Sequence, residues 1–478
     1  MRTQVLVVGA GPVGLMLAAE LRLGGADTVV VERLPAPTTQ SRASTLHART
    51  MELLAQRGLL PAFGAPPHAG TGHFGGLPLD LSRVPSPYAG LWKIPQPRIE
   101  HVLAGRATAL GATVLRGRAV TALDTVGDRV TAAVDGPTGP STVTADWVVG
   151  CDGEDSTVRR LAGIPFPGTD GTRELLRADL ADIDLPARRF ERHPRGLAVA
   201  GPVAEGVTRV MVHAYGDAPR ERGSWGLAFG DVAATWERVV GEDISGARPL
   251  WVNAFDDTAR QAARYRAGRV LLAGDAAHRQ LPVGGQALNL GLHDAVNLGW
   301  KLAATARGLA PAGLLDTYHG ERHPAGARTL TAIRAQTLLL LGGPRVDGVR
   351  ALVGELLRLP GPRAHLAAGI AAVEPDPPDR PAHDPGASAA MDAALRAARG
   401  LLLDLSGSAA RTAALRARCA GWAGRVDVVG TAPRPPGAAG PPPGAATVLV
   451  RPDGVTAWRG GRDADPEDAL RGWFGAPH

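Results

Sequence analysis

The chain has 478 residues, more than one compact domain usually holds, so two or three domains are expected. Hydrophobic residues at 45% and charged residues at 21% allow a packed core and exclude global disorder. The net charge of +6 is spread among interleaved acids and bases, RRFERHPR (Arg188 to Arg195) being the densest basic stretch, which speaks against nucleic-acid binding.

QVLVVGA (Gln4 to Ala10) has the unbroken apolar character of a buried strand, and Pro12 opens a helix where its missing N–H costs nothing. Gly9, Gly11, Pro12 and Gly14 interrupt this apolar start, so it is read as neither a signal peptide nor a membrane span. The helix should stop at Gly24-Gly25, and TVVVE (Thr28 to Glu32) follows as the second strand of a βαβ unit. Helical texture around Leu46 to Arg57 gives way to a Gly/Pro-rich stretch from Gly64 to Pro97. Thr113 to Val149 predicts a small antiparallel element, closed by the buried strand in ADWVVGCDG. Between about 175 and 260, GLAVAGPV, TRVMVHAY and SWGLAFG predict a separate antiparallel sheet. GRVLLAGDAAH (Gly268 to His278) is a strand running into a polar loop, and helices are expected from Asn289 to Gly308 and Tyr318 to Leu341. VEPDPPDRPAHDPGAS (Val373 to Ser388) reads as a linker, and the remainder as β-α-β-β-β-α with an irregular PRPPGAAGPPPG loop.

Gly9-Ala10-Gly11-Pro12-Val13-Gly14 is G-x-G-x-x-G between a strand and a helix. Its glycines permit a tight turn and let pyrophosphate approach the helix N-terminus. Glu32 ends the next strand, where a carboxylate accepts from a ribose diol. Together these predict dinucleotide binding without separating NAD from FAD. Two further patches do separate them. CDGEDSTVRRLAGI carries Asp152, Gly153, Ser156 and Arg159 after a buried strand. In GRVLLAGDAAHRQLPVGGQALNLGLHDAVNLGWKLA, Asp275 can accept from a polyhydroxyl chain, and Pro282, Gly284 and Gly285 let backbone approach a flat ring. Asn289 then begins a helix whose N-terminus can stabilise negative charge on a reduced flavin.

These patches resemble the flavoprotein aromatic hydroxylases of the p-hydroxybenzoate hydroxylase class, and within it the aromatic polyketide hydroxylases with a thioredoxin-like C-terminal domain. SRASTLHARTMELL, FGGLPLDL, IPQPRIEHVL and LLDTYHGERHPAGAR extend the resemblance over nearly the whole chain. It implies an α/β fold: a Rossmann-like FAD domain (1–174 and 263–372, with 70–100 on the substrate side), an inserted antiparallel sheet domain (175–262), a linker (373–388) and a thioredoxin-like domain (389–478). It implies that Gly9, Gly11, Gly14, Glu32 and Arg33 hold the ADP half of FAD, and that Arg42 and Gln96, with Arg106 a weaker candidate, meet the ribityl-phosphate region. Asp275 would bind the ribityl chain, Pro282, Gly284, Gly285 and Asn289 would face the isoalloxazine, and Asp152 and Arg159 would support the flavin region and the NADPH approach. The implied reaction is hydroxylation of a polycyclic aromatic polyketide by a C4a-hydroperoxyflavin, consuming O2 and NADPH, with NADH also open. The rivals are Baeyer–Villiger or antibiotic-inactivating oxygenation on the same fold, and a non-catalytic flavoprotein.

A base that deprotonates a substrate phenol would assist such a reaction, and His73, His213 and Tyr215 are candidates beside their plainer reading as structural polar residues. Two departures from the family pattern stand out. Ala287 occupies a position usually held by glycine, at a cost that depends on the sign of its φ. Ala254 stands where many relatives have a larger basic residue, which bears on the substrate-side wall. Trp92, Trp225, Trp236 and Trp251 lie in or near the proposed sheet and read more readily as core than as substrate wall. His319 and His323 with Glu321 lack the order of a zinc motif, so no metal is expected, and the pair reads as packing at a helix end before Pro324. Cys151 and Cys419 are the only cysteines, which excludes a disulfide framework and a C-x-x-C and fits a reducing cytoplasm, while a homodimer stays open.

Overall fold

The computed structural model of the chain describes residues 1–40, 43–220, 227–372, 388–431 and 446–478. The expected Arg42 and Trp225, the linker and the PRPPGAAGPPPG loop lie wholly or almost wholly outside these residues. Helices in chain order are α1 (Pro12–Leu23), α2 (Ala48–Gln56), α3 (Gln96–Ala109), α4 (Thr157–Leu161), α5 (Phe229–Val240), α6 (Gln286–Ala306), α7 (Asp316–Leu341), α8 (Asp347–Leu356), α9 (Pro360–Ala371), α10 (Ser388–Arg396), α11 (Ala409–Arg418) and α12 (Glu467–Phe474). None of the described helices is long and apolar enough to cross a membrane.

The apolar run Arg2–Val8 is the centre of a sheet in which Val270–Leu272, Ser141–Gly150, Arg2–Val8, Thr28–Glu32 and Thr113–Arg116 lie side by side in parallel. Val5, Leu6 and Val7 have no exposed surface, as expected of strands covered on both faces. The antiparallel pair Ala119–Val126 and Arg129–Asp135 extends from Ser141–Gly150. α1 and α6 pack closely: a Cβ on Gly299 would stand 2.3 Å from the Glu20 side chain, so glycine is required at that crossing.

A second sheet runs in the order Arg188–His193, Gly196–Ala204, Val207–Ala214, Glu174–Ala181, Arg248–Asp256, with antiparallel neighbours. Alternation gives it two faces. Leu176, Ala178, Val210 and Val212 pack against Trp236 and Val232 of α5, whereas Leu175, Leu197 and Met211 face Leu281, Val283 and Leu340. Trp236 is thus core, as expected. The expected strand in SWGLAFG does not form within the described part, because Phe229 instead opens α5. Ala254 sits beside Val252 against the α5 cluster.

The C-terminal sheet runs Val426–Gly430, Gly400–Asp404, Thr447–Val450, Thr456–Gly460, the first two strands parallel and the others antiparallel. Cys419 lies just past the end of α11 and is buried. Pro324 does not end its helix. α7 continues to Leu341, and the bond that proline cannot donate falls on the carbonyl of exposed Gly320, open to water. His319 and His323 lie near the N-terminal end of α7, which starts at Asp316. Their rings stack 4.8 Å apart against Tyr265, and Glu321 turns away to Arg451.

Candidate cofactor and substrate site

The strand Arg2–Val8 delivers Gly9 with φ of +106°, and a Cβ there would lie 2.3 Å from the Cys151 carbonyl oxygen. A Cβ on Gly14 would lie 2.0 Å from the Gly9 carbonyl oxygen, whereas one on Gly11 would meet no atom within 4 Å. The loop is therefore closed around Gly9 and Gly14 and open at Gly11, the N-cap of α1. Free amides of a first helical turn beside open space are what a pyrophosphate requires, so the residues fit FAD. Glu32 accepts from the Ala10 N–H at 2.7 Å and the Leu34 N–H at 2.8 Å, so its carboxylate also fixes the loop it would share with a ribose. Arg33 is exposed beside it. Gln96 opens α3 and spends an amide hydrogen on Glu100 at 2.8 Å.

Asp152 accepts from the Ser156 hydroxyl at 2.5 Å and the Val158 N–H at 3.1 Å, and Ser156 caps α4 by accepting from the Arg159 N–H at 2.9 Å. The Arg159 guanidinium stacks 3.7 Å above Phe166 and donates to the Ala276 carbonyl at 2.8 Å. Asp152 and Arg159 thereby brace the turn Gly274–Ala276, whose middle residue, Asp275, is exposed. Beside this brace is a cleft of about 380 Å³ lined by residues including Arg159, Phe166, Arg220, Asp256, Arg260 and Arg279.

Beneath Asp275 is a group that sequence patterning missed. Asp294, fully buried on α6, accepts from the Gly274 N–H at 3.2 Å, His278 Nε2 at 2.7 Å and Arg322 Nε at 2.7 Å. Burial pushes its carboxyl up, but Arg322 and then His278 outweigh burial and hold it below the usual carboxylate range. A charged residue within an apolar buried helix was the available signal.

Pro282 leads into Gly284 and Gly285, both at φ of +68°, and α6 begins at Gln286. Ala287 lies inside that helix and is not among the residues with positive φ, so its Cβ costs nothing. Accordingly, Ala287→Gly should destabilise the protein by about 0.5–1 kcal/mol without tightening FAD binding, as measured by urea unfolding and FAD titration. The Asn289 side chain acts as a staple, donating to the Thr45 carbonyl at 2.9 Å and the Gly285 carbonyl at 2.7 Å and accepting from the His47 N–H at 2.9 Å. What Asn289 offers a ring at this turn is therefore the backbone of α6. His47 Nε2 is 2.9 Å from the Gly284 carbonyl oxygen, so this nitrogen carries the proton and donates. Lys93 Nζ donates to Thr45 Oγ1 at 2.6 Å on the same side.

The candidate bases are poorly suited to that role. His73 stacks 4.3 Å from Phe190, its Nδ1 accepts from the Gly76 N–H at 3.2 Å, and burial followed by Arg189 lowers its pKa to about 4. His213 Nδ1 faces the Glu174 carbonyl at 2.7 Å, and burial lowers its pKa too. The Tyr215 hydroxyl is buried without a hydrogen-bond partner and held high by burial; its ring is 5.7 Å from that of His213. Arg177, also missed, lies buried between Trp251 at 4.2 Å and Phe255 at 4.6 Å. Among the described residues no cluster of His, Cys, Asp and Glu is arranged to hold a metal ion.

Residues 2–332 match the FAD binding domain family, and residues 376–477 match the aromatic-ring hydroxylase C-terminal family. The chain is 42% identical to the 12-dehydrotetracycline 5-monooxygenase/anhydrotetracycline 6-monooxygenase of Streptomyces rimosus, over 100% of both chains. It is 39% identical to the dialkyldecalin synthase of Streptomyces rugosporus over 99% of each chain. The structure of CabE, an aromatic hydroxylase from angucycline biosynthesis, superposes over 100% of both chains with a TM-score of 0.91 at 44% identity. With the open glycine cradle and the braced aspartate turn already described, these matches make the chain a member of the FAD-dependent aromatic-ring hydroxylases.

Proposed function

We propose that this monooxygenase hydroxylates a polycyclic aromatic, polyketide-type substrate, with NADPH as reductant. The observation that carries the substrate class is the likeness over the whole chain to a 12-dehydrotetracycline 5-monooxygenase/anhydrotetracycline 6-monooxygenase and to an aromatic hydroxylase from angucycline biosynthesis. The apolar cluster of Leu175, Leu197, Met211 and Phe255 with Leu281 and Val283, just before the Gly284-Gly285 turn, is compatible with a broad apolar ligand beside it. Bound FAD supplies the activation of O2 that no side chain provides. The chain supplies placement. The amides at Gly11 and α1 receive the pyrophosphate, Glu32 and Arg33 the adenosine side, Gln96 the region beyond it, and Asp275 the ribityl hydroxyls. Gly284 and Gly285 admit the ring, and the first turn of α6, from Gln286 to Asn289, favours negative charge there. Asp152 and Arg159 hold the aspartate turn, and the cleft with Arg220, Arg260 and Arg279 is where NADPH would approach.

The division into a Rossmann-like FAD domain, an inserted sheet domain from about 175 to 262 and a thioredoxin-like domain from 389 is supported by the parallel sheet, the separate antiparallel sheet and the mixed C-terminal sheet. A cytoplasmic location is supported by the free cysteines.

The test is anaerobic reduction of the FAD-loaded protein by NADPH with a panel of polycyclic phenols. Reduction accelerated by orders of magnitude with one ligand is the expected result. Fast reduction without ligand would favour Baeyer–Villiger or oxidase-like chemistry. A full-length relative named as a synthase supports a second reading, in which FAD binds without net oxidation. Flavin that no panel member allows NADPH to reduce would favour it.

A further inference from the structure

Helix α6 is apolar and buried along most of its length, yet Asn289, His293, Asn297 and Lys301 recur on it every four residues. Residues four apart lie one above another, so the four form a polar stripe that winds slowly around the helix. The stripe is bonded to several other elements. Asn289 ties α6 to Thr45 and His47 ahead of α2. His293 Nε2 lies 3.0 Å from the Thr50 hydroxyl on α2. Asn297 donates to Glu321 of α7 at 2.7 Å and to Asp453 at 3.2 Å, and its amide oxygen accepts from Lys301 Nζ at 2.9 Å.

The lower end of the stripe enters the C-terminal domain. Asp453 and Arg451 sit in the turn between Thr447–Val450 and Thr456–Gly460, and both are almost completely buried. Arg451 forks onto Glu321 at 2.7 and 2.8 Å and onto Asp453 at 2.6 and 3.0 Å, while Lys301 Nζ lies 3.1 Å from Glu321. Two cations and two anions thus balance. The Asp453 carbonyl accepts from Arg49 of α2 at 2.9 Å, and the neighbouring Pro452 carbonyl accepts from buried Arg57 at 2.8 Å. One turn of the C-terminal domain therefore grips α2, α6 and α7 together. Buried ionic lattices contribute little net stability against apolar packing, but they fix geometry because no member can move without leaving a charge unpaired.

We infer that the Arg451–Asp453 turn is a positioning element for the cofactor site, acting along the Asn297–His293–Asn289 stripe to hold the Gly284-Gly285 turn for the flavin ring. Asn297 stands about 12 Å along the helix from Asn289, so the action is mechanical and not by contact. It rests on the reading that the ring lies at the N-terminal end of α6.

The test uses the full chain, with Asp453→Asn, which keeps the shape of the turn, and Thr50→Val, which cuts the His293 link without touching the C-terminal domain. The dissociation constant for FAD is read by flavin fluorescence, and the thermal stability of the apoprotein in parallel. Each variant should weaken FAD binding about tenfold, and the double variant should be weaker than wild type by clearly less than the product of the two effects. Asp275→Ala is the control for the site itself. If it leaves FAD binding unchanged, the siting is wrong and the inference falls with it. If it weakens binding while Asp453→Asn and Thr50→Val stay within twofold of wild type, whatever their stability, the stripe holds no cofactor geometry and the inference alone is overturned. Multiplicative effects in the double variant would likewise show two independent perturbations and overturn it.

Discussion

Gly14→Ala should yield protein that retains no flavin and unfolds well below wild type even as apoprotein, whereas Gly11→Ala should retain the apoprotein's stability and lose only FAD affinity. The difference lies in what each new methyl group meets. At Gly14 it would stand 2.0 Å from the Gly9 carbonyl oxygen and 3.3 Å from the Cys151 Cβ. Gly9 cannot retreat, because its φ of +106° and the Cys151 carbonyl already fix it. The strand-to-helix turn must open, pulling α1 from the sheet. Overpacking of this kind costs about 1–3 kcal/mol where side chains can yield, and backbone against backbone yields less. Gly11, with φ of −73° and ψ of −179°, adopts geometry that alanine shares, and its methyl would point into open space. In the proposed site that space is where a pyrophosphate would come closest, so the loss should appear only on binding. Urea unfolding of both apoproteins and FAD titration separate the cases. Unchanged FAD affinity in Gly11→Ala would mean that the gap at Gly11 has no role in binding.

The same loop shows why part of the site was legible in the sequence. A strand, three glycines, a helix and an acid at fixed spacing are local, and local spacing is what a sequence displays. The start of α6 near Asn289 and the exposed Asp275 were accessible for the same reason. Long-range pairings were not. Arg322 reaches Asp294 across 28 positions and Arg451 reaches Glu321 across 130, and no periodicity announces a partner at such separations. The side of the sheet on which Ala254 lies was not legible for another reason. A strand shows that its residues alternate, but not which set faces the helix, and a shift of one residue exchanges the faces. Pro324 lies inside the expected helix even though proline removes one helical bond. It is tolerated because the carbonyl left over belongs to an exposed glycine, and exposure is a property of the fold. Ala287 is the converse case: a departure from the family pattern whose cost depended on the sign of φ, which its helical backbone makes negative.

Acid should weaken this protein before its carboxylates titrate. His47 is almost completely buried, and desolvation, with a smaller contribution from Lys93, holds its pKa at about 4 despite its bond to Gly284. In the unfolded chain it titrates near the ordinary 6.5. Between those values the unfolded state binds the proton and the folded state does not, so stability falls as pH falls through that window and is flat above it. The full shift is worth about 3 kcal/mol. His73 shares the direction with a smaller effect, because it is partly open to solvent, and His293 shares it through burial and then Arg322 and Arg49. Asp294, Asp453 and Glu321 are held below their ordinary values, so their stabilisation is lost only at still lower pH. Urea midpoints measured from pH 7.5 down to 4.5 should therefore decline below 6.5, and His47→Gln, which can still donate to the Gly284 carbonyl, should flatten the decline by about one proton. Flavin retention should follow the same limb. Protonated His47 would carry an N–H at Nδ1, a buried position with no acceptor, and could keep the Gly284 turn in place only at that cost. An unchanged slope in His47→Gln would mean that His47 is charged in the folded protein, and the cause of the acid limb would then lie in other groups.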